Sequence, residues 1–274
     1  MDSSKLKNII IIVLLIINLV FAGMLVSSNA EGKSSSRQAR ESLAAVLQNK
    51  GITLADDVDI SQEAPAEYSL RRDLDSEESA VRKLLGSCTA YDQGGNVYFY
   101  SCNKGDARFR GTGEIEIVFD SCAVPTGNDA VSSAMKAAKK LGIETVEVSD
   151  ESDGDVTSVR LAGCFRGSEI FNSRIEFTFS KDDLLLLVGQ RPFDTVVGKT
   201  DSQALDCATA IMRFVQLMDE QGVFFSEITE VSAGYVTSVS VSGGGVMTPA
   251  WRIKTDSGVY CINAVTGREE TLPE

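Results

Sequence analysis

The chain has 274 residues, with 39 acidic against 26 basic side chains and a formal net charge of -13. Nucleic acid and anionic lipid headgroups attract clustered Lys and Arg, so an acidic surface argues against both as ligands. Histidine is absent, which removes Ser-His-Asp and Cys-His nucleophile systems together with the commonest metal ligand. The expectation is a non-enzymatic protein with no catalytic residues, no metal and no small-molecule cofactor.

Behind Lys5 and Lys7, residues 9–26 read IIIIVLLIINLVFAGMLV without a charge. A helix of that length covers about 27 Å, near the thickness of a bilayer's hydrocarbon core. The run exceeds the usual apolar core of a signal peptide, which favours an uncleaved anchor, whereas Ser28 and Ala30 offer a small-x-small cleavage pattern. The anchor reading gives a single-pass protein of the cell membrane, with residues 1–8 cytoplasmic and the bulk of the chain extracytoplasmic. Within the span, Asn18 and Ala22 share a helical face and Ala22-Gly23 permits close backbone approach. Asn18, Ala22 and Gly23 are therefore the candidate partner-binding residues.

Residues 27–75 read as a Ser-rich tether, an amphipathic helix carrying Ala39, Leu43, Val46 and Leu47 on one face, and an acidic connector. A docking helix that packs on its own domain fits so short an apolar face. From Ser76 the pattern is regular. Ser76 is a candidate cap for a helix with Glu77 and Glu78 in its first turn, Val81, Leu84 and Leu85 on its buried side and Gly86 as its stop. Strand patterns follow at 96–102, 107–110 and 113–119, then a helix over 129–141, then strands at 144–148, 156–162, 174–179 and 184–188. A third helix over 202–221, capped by Asp201 and stopped by Gly222, precedes strands at 227–232, 236–242, 250–255 and 259–263.

Val156-Thr157-Ser158-Val159 recurs as Val236-Thr237-Ser238-Val239, a period of about 80 residues that suggests a duplicated unit. The expected fold class is α+β: one N-terminal transmembrane helix, then repeated helix-plus-antiparallel-sheet modules. These would occupy residues 76–190 and, as a C-terminal module, 191–274.

Several stretches invite chemistry. Gly198-Lys199-Thr200 resembles the end of a phosphate loop, but Phe193 stands where the motif needs glycine, so a helix-leading turn is the plainer reading. The run Asp150 to Asp155 lacks the alternation of a calcium loop and reads as a solvated hairpin turn. Tyr98, Phe99, Tyr100 and Trp251 are more economically core residues than a binding surface. Gly243-Gly244-Gly245 reads as a flexible link between paired strands. The six cysteines, Cys88, Cys102, Cys122, Cys164, Cys207 and Cys261, lack CxxC spacing; isolated buried thiols are favoured over disulfides, and zinc is disfavoured.

Two ends of the chain resemble a family. Met1-Asp2-Ser3-Ser4-Lys5-Leu6-Lys7, running into an isoleucine-rich span with Asn18-Leu19, resembles the start of YycI-type proteins. Pro249-Ala250-Trp251-Arg252-Ile253, Gly258-Val259-Tyr260, Ile262-Asn263-Ala264 and Thr266-Gly267 resemble their C-terminal strand pair. The resemblance implies a Gram-positive envelope protein that, with a YycH-type relative, adjusts the WalK (YycG) sensor histidine kinase of a two-component system through membrane-helix contacts. An exported PepSY-like inhibitor or binding module engaging a protease or wall component is the alternative. The cysteines depart from what the family leads one to expect.

Overall fold

The computed structural model describes residues 38–124, 129–181, 183–193, 195–200, 203–239 and 244–272. Helix α1 covers residues 38–49. It is followed by β1 (Thr53–Leu54), β2 (Glu67–Arg71), α2 (Leu74–Leu85), β3 (Cys88–Asp92), β4 (Val97–Cys102), β5 (Gly105–Arg110) and β6 (Glu114–Phe119). Next come α3 (Ala130–Lys140), β7 (Glu144–Asp153), β8 (Val156–Phe165), β9 (Ser168–Ser180), β10 (Asp183–Gln190) and β11 (Thr195–Thr200). The chain closes with α4 (Cys207–Gln221), β12 (Glu227–Val239), β13 (Gly244–Thr255), β14 (Val259–Asn263) and β15 (Glu269–Glu270).

The strands join in the order β11-β2-β13-β12-β9-β10-β6-β5-β4-β3, with β7 and β8 branching from β9, and β14 and β15 from β13. Most pairs are antiparallel; β1 runs parallel to β12, and β12 meets β9 at one parallel bridge, Tyr235 with Ile170. That bridge divides the assembly into two ladders, each with one face under helices. In β9 the alternation is explicit: Ile175, Phe177 and Phe179 point into the core while Arg174, Glu176 and Thr178 are half-exposed. On the open face Arg108 pairs with Glu116 at 3.0 Å and Arg160 reaches Glu176 at 4.0 Å, half-exposed pairs worth at most about 1 kcal/mol each.

Two main cores result. In the first, Val81, Leu84 and Leu85 of α2 and the small Ala134, Ala137 and Ala138 of α3 press on Tyr100, Phe109, Ile117 and Phe177. In the second, Leu43 and Leu47 of α1 and Ile211, Phe214 and Met218 of α4 cover Val231, Trp251, Ile253 and Ile262. Helix α4 begins at Cys207, capped by Asp206 whose carboxylate accepts from Thr209 N at 2.8 Å. It starts later than the sequence suggests because Leu205 is already committed: its N–H donates to Ala264 and its carbonyl accepts from Trp251 Nε1. Helix α2 is capped by Asp73 rather than Ser76, and Gly86 ends it as expected.

Two expectations are corrected. Repeated helix-plus-sheet modules are not present: the architecture is 48% strand and 23% helix, so one large mixed sheet, not a series of modules, organises it. The repeated tetrapeptide shows why the pattern misled, since Val156 opens β8, the second strand after its helix, whereas Val239 closes β12, the first strand after its own. The expected single-pass membrane placement is also corrected. No helix among the described residues is long and apolar enough to cross a membrane, and the apolar side of each packs on the sheet. The anticipated span, 9–26, lies outside the described residues.

One disulfide forms among the six cysteines, Cys88–Cys102, between directly opposed residues of β3 and β4 with Cα atoms 4.0 Å apart. This overrides the free-thiol reading for that pair, because hairpin register rather than CxxC spacing brings the sulfurs together. Closing a 14-residue separation stabilises by about 3 kcal/mol in the chain-entropy account.

A buried ion pair locks the two ladders. Arg72, just past β2, gives Nε and Nη2 to both oxygens of Glu77 at 2.8 Å each, and the side chains are 4% and 3% exposed. Tyr100 donates to the same carboxylate at 2.9 Å, and Arg72 also donates to the Asn96 and Phe109 carbonyls. Burial, then the Glu77 charge, holds the Tyr100 hydroxyl above its ordinary range. Removing one member leaves the other charged and dry, so Glu77→Gln should lower unfolding free energy by about 3–5 kcal/mol. Replacing Arg72, Glu77 and Tyr100 together by Met, Leu and Phe should cost far less. Urea unfolding of both variants checks this; a Glu77→Gln midpoint equal to wild type defeats it.

Candidate functional site

The seam between the ladders is where polar, aromatic and strained groups meet. It exists because β12 and β9 approach closely at Gly234, where a Cβ would fall 2.4 Å from the Phe171 ring and 2.6 Å from the Glu169 carbonyl. Beyond the single bridge, Asn172 replaces the missing ladder: its amide donates to the Thr237 carbonyl and accepts from the Thr237 N–H, both at 2.8 Å.

Beside this contact, β8 turns into β9 through Arg166-Gly167, with Phe165 opposite Ser168. Both loop residues have positive φ, 52° and 81°, the arrangement of a type I′ hairpin, which asks for Asn, Asp or Gly. Arginine in that place carries strain on the order of 1 kcal/mol or more. Its guanidinium lies 4.5 Å from the Tyr68 ring centroid and 5.7 Å from that of Phe165, and it donates to the Tyr68 hydroxyl at 3.3 Å. Phe165 stands edge-on to Tyr68 and to Tyr235, centroids 5.3 and 5.5 Å away. Burial, then the neighbouring Tyr68, pushes the Tyr235 hydroxyl up to about 12.

These groups flank a cleft of about 200 Å³ lined by Gly142, Ile143, Glu144, Cys164, Phe165, Arg166, Pro192 and Phe193. Cys164 faces Glu144 across the β7–β8 ladder. Burial first, then the Glu169 and Glu144 charges, raise the thiol's pKa, the reverse of the thiolate activation that a nucleophilic cysteine needs. The cleft offers recognition: one cation, one anion, a neutral thiol and apolar walls.

A second polar cluster spans the same junction on the sheet. Arg252 Nη1 reaches both Glu169 oxygens at 2.8 Å with its guanidinium 4.7 Å over Phe171; Arg174 lies 3.5 Å from Glu169, and Lys254 2.6 Å from Glu230. Burial lowers the Arg174 pKa. Every charge here has an opposite neighbour in the sheet, so the cluster ties β9, β12 and β13 together.

The candidates named from sequence do not converge. Asn18, Ala22 and Gly23 lie outside the described residues. Gly198-Lys199-Thr200 is not a helix-leading turn but part of β11, paired with Ser69, Tyr68 and Glu67 of β2. The acidic run forms the β7–β8 hairpin, and among the described residues no group of three or more His, Cys, Asp or Glu could hold a metal ion. Trp251 is fully buried under α4 while Tyr100 sits in the other core, and Phe99 faces Tyr91 on the open side. Gly244 and Gly245 are strand residues of β13, opposite Arg71 and Leu70 of β2. The seam residues Glu144, Cys164, Arg166 and Phe193 were missed; the available signal was Arg166-Gly167 between two apolar stretches, a two-residue hairpin loop.

No family model matches the chain, and no curated protein matches it. Among solved structures, an uncharacterized protein from Eubacterium rectale is similar at 12% identity, covering 77% of this chain and 86% of its own, with a TM-score of 0.48. The C-terminal domain of YpeB from Bacillus megaterium is a structural neighbour at 12% identity, covering 75% of this chain and 100% of its own, with a TM-score of 0.37. Neither match is called YycI-type, and likenesses this distant support no functional argument.

Thiol chemistry gives a direct check. Cys122 is exposed, Cys164 half-buried, and Cys207 and Cys261 fully buried, with burial pushing the last two up to about 12. Alkylation of the native protein near neutral pH, read by peptide mass spectrometry, should modify Cys122 first, Cys164 slowly, and Cys207 and Cys261 only on unfolding. Equal rates at Cys122 and Cys164 contradict the environment described for the cleft. In the folded state Cys207 and Cys261 ionise above their unfolded value near 9. Their contribution to stability is therefore complete below pH 9 and is lost as pH rises toward 12.

Proposed function

We propose that the chain is a non-enzymatic binding and regulatory module that engages its ligand or partner at the seam between its two ladders. The supporting observation is Arg166: a residue ill suited to its backbone conformation, held over two rings at the rim of a cleft. Backbone strain of this kind clusters at ligand clamps and switch regions, which supports a role for the Arg166 side chain. The raised thiol of Cys164 favours binding over nucleophilic chemistry at the same place. The YycI-type resemblance supplies the class of partner: a sensor histidine kinase of a two-component system, acting with a YycH-type relative. In this reading the chain is an accessory that alters the kinase's activity and performs no reaction itself.

Arg166→Asn separates function from folding. Asparagine accepts the left-handed turn, so relief of about 1 kcal/mol of strain offsets about 0.5–1 kcal/mol of lost cation–π attraction, and the melting temperature should stay near that of wild type. The full-length chain, co-expressed with the kinase, should shift kinase phosphorylation, and the Arg166→Asn chain should not. A kinase indifferent to both chains overturns the regulatory reading. A kinase that responds equally to both moves the contact away from the seam.

A further inference from the structure

The cleft at the seam carries one charge of each sign, and these charges are held apart. Glu144 opens β7 directly opposite Cys164, and Arg166 lies two residues beyond Cys164 in the turn. Both residues line the cleft and are exposed, yet among the described residues they form no ion pair with each other. Arg166 is instead drawn to the Tyr68 and Phe165 rings. The same cleft has apolar lining from Ile143, Phe165, Pro192 and Phe193.

We propose that this cleft binds a small zwitterion with an apolar body, a free apolar amino acid or the two ends of a short peptide, its carboxylate on Arg166 and its ammonium on Glu144. A bare anion entering the cleft meets Glu144, and a bare cation meets Arg166; a ligand bearing both charges satisfies both. Arginine presents a planar fork that matches a carboxylate. At about 200 Å³ the space lies below the range of drug-sized sites, which suits one or two residues. The assignment rests on the seam being the binding region, as proposed above, and names the chemistry recognised there.

The test titrates the full chain with leucine and Leu-Leu, with N-acetyl-Leu-Leu, which lacks the ammonium, and with Leu-Leu-amide, which lacks the carboxylate. Binding is followed by calorimetry and by NMR shifts of seam residues. Either uncapped probe should bind and shift the residues lining the cleft, and each cap should weaken binding by at least about tenfold, the scale of one charge-assisted hydrogen bond. Glu144→Gln should weaken Leu-Leu by a similar factor while leaving N-acetyl-Leu-Leu unchanged, a pattern that general unfolding would not produce; Arg166→Asn should do the converse with the amide. No seam shifts with either uncapped probe, or equal binding of capped and uncapped peptides, overturns the assignment. If those probes fail while kinase output still depends on Arg166, the ligand class is wrong and the regulatory reading stands. If they bind while kinase output ignores Arg166, the regulatory reading is the one that falls.

Discussion

Arg72 and Glu77 are taken out of water together, and the arrangement of both ladders follows from that. Each ion loses several kcal/mol of hydration, which mutual attraction offsets only in good geometry with the remaining donors and acceptors satisfied. The bidentate contact, the Tyr100 hydroxyl and the Asn96 and Phe109 carbonyls supply that geometry. The partners come from the end of β2, the first turn of α2, and β4 and β5. They can be satisfied only when the strand paired with β13 and the helix over the other ladder are both in place. A hydrophobic contact in the same position would tolerate sliding; this one does not.

The rest of the seam is thin by comparison. One parallel bridge, one side-chain amide imitating a peptide group, the Arg252–Glu169 ion pair from β13 to β9, and a cluster of Tyr68, Ile170, Phe193, Tyr235 and Met247 join two much larger cores. Phe193 belongs both to this cluster and to the wall of the cleft, and Arg166 leans on Tyr68 of β2 from the tip of the β8–β9 turn. An occupant of the cleft therefore touches groups anchored on each side of the junction. Binding biases a conformational balance only through contacts that differ between its states.

The helices were legible in the sequence and the seam was not. Apolar residues at three and four spacing, with Gly86 and Gly222 as stops, marked α2 and α4, and alternation marked the core strands. What failed was continuity. Gly234 reads as a break, so the pattern divides β12 into two strands; the chain runs straight through because the glycine answers a close approach by Phe171, far away in sequence. The stretch from Gly163 to Ser173 carries no apolar alternation, yet it holds the turn and the start of β9. Ser173 is fully buried there, donating to the Gln190 carbonyl at 3.4 Å. Likewise Glu77 looks like a surface residue in a helix's first turn, and only the three-dimensional position of Arg72 explains its burial.

The chain's acidic composition also shapes what the cleft can admit. A net charge of -13 repels anions during approach, although at physiological ionic strength that field is screened beyond about 8 Å. Approach is thus governed by a ligand's total charge, while its pose is governed by the individual groups within the cleft. A molecule with no net charge escapes the long-range repulsion and still presents a carboxylate to Arg166. With no imidazole anywhere in the chain, and with burial and the Glu169 and Glu144 charges raising the Cys164 pKa, what the cleft presents to such a molecule is charge and shape.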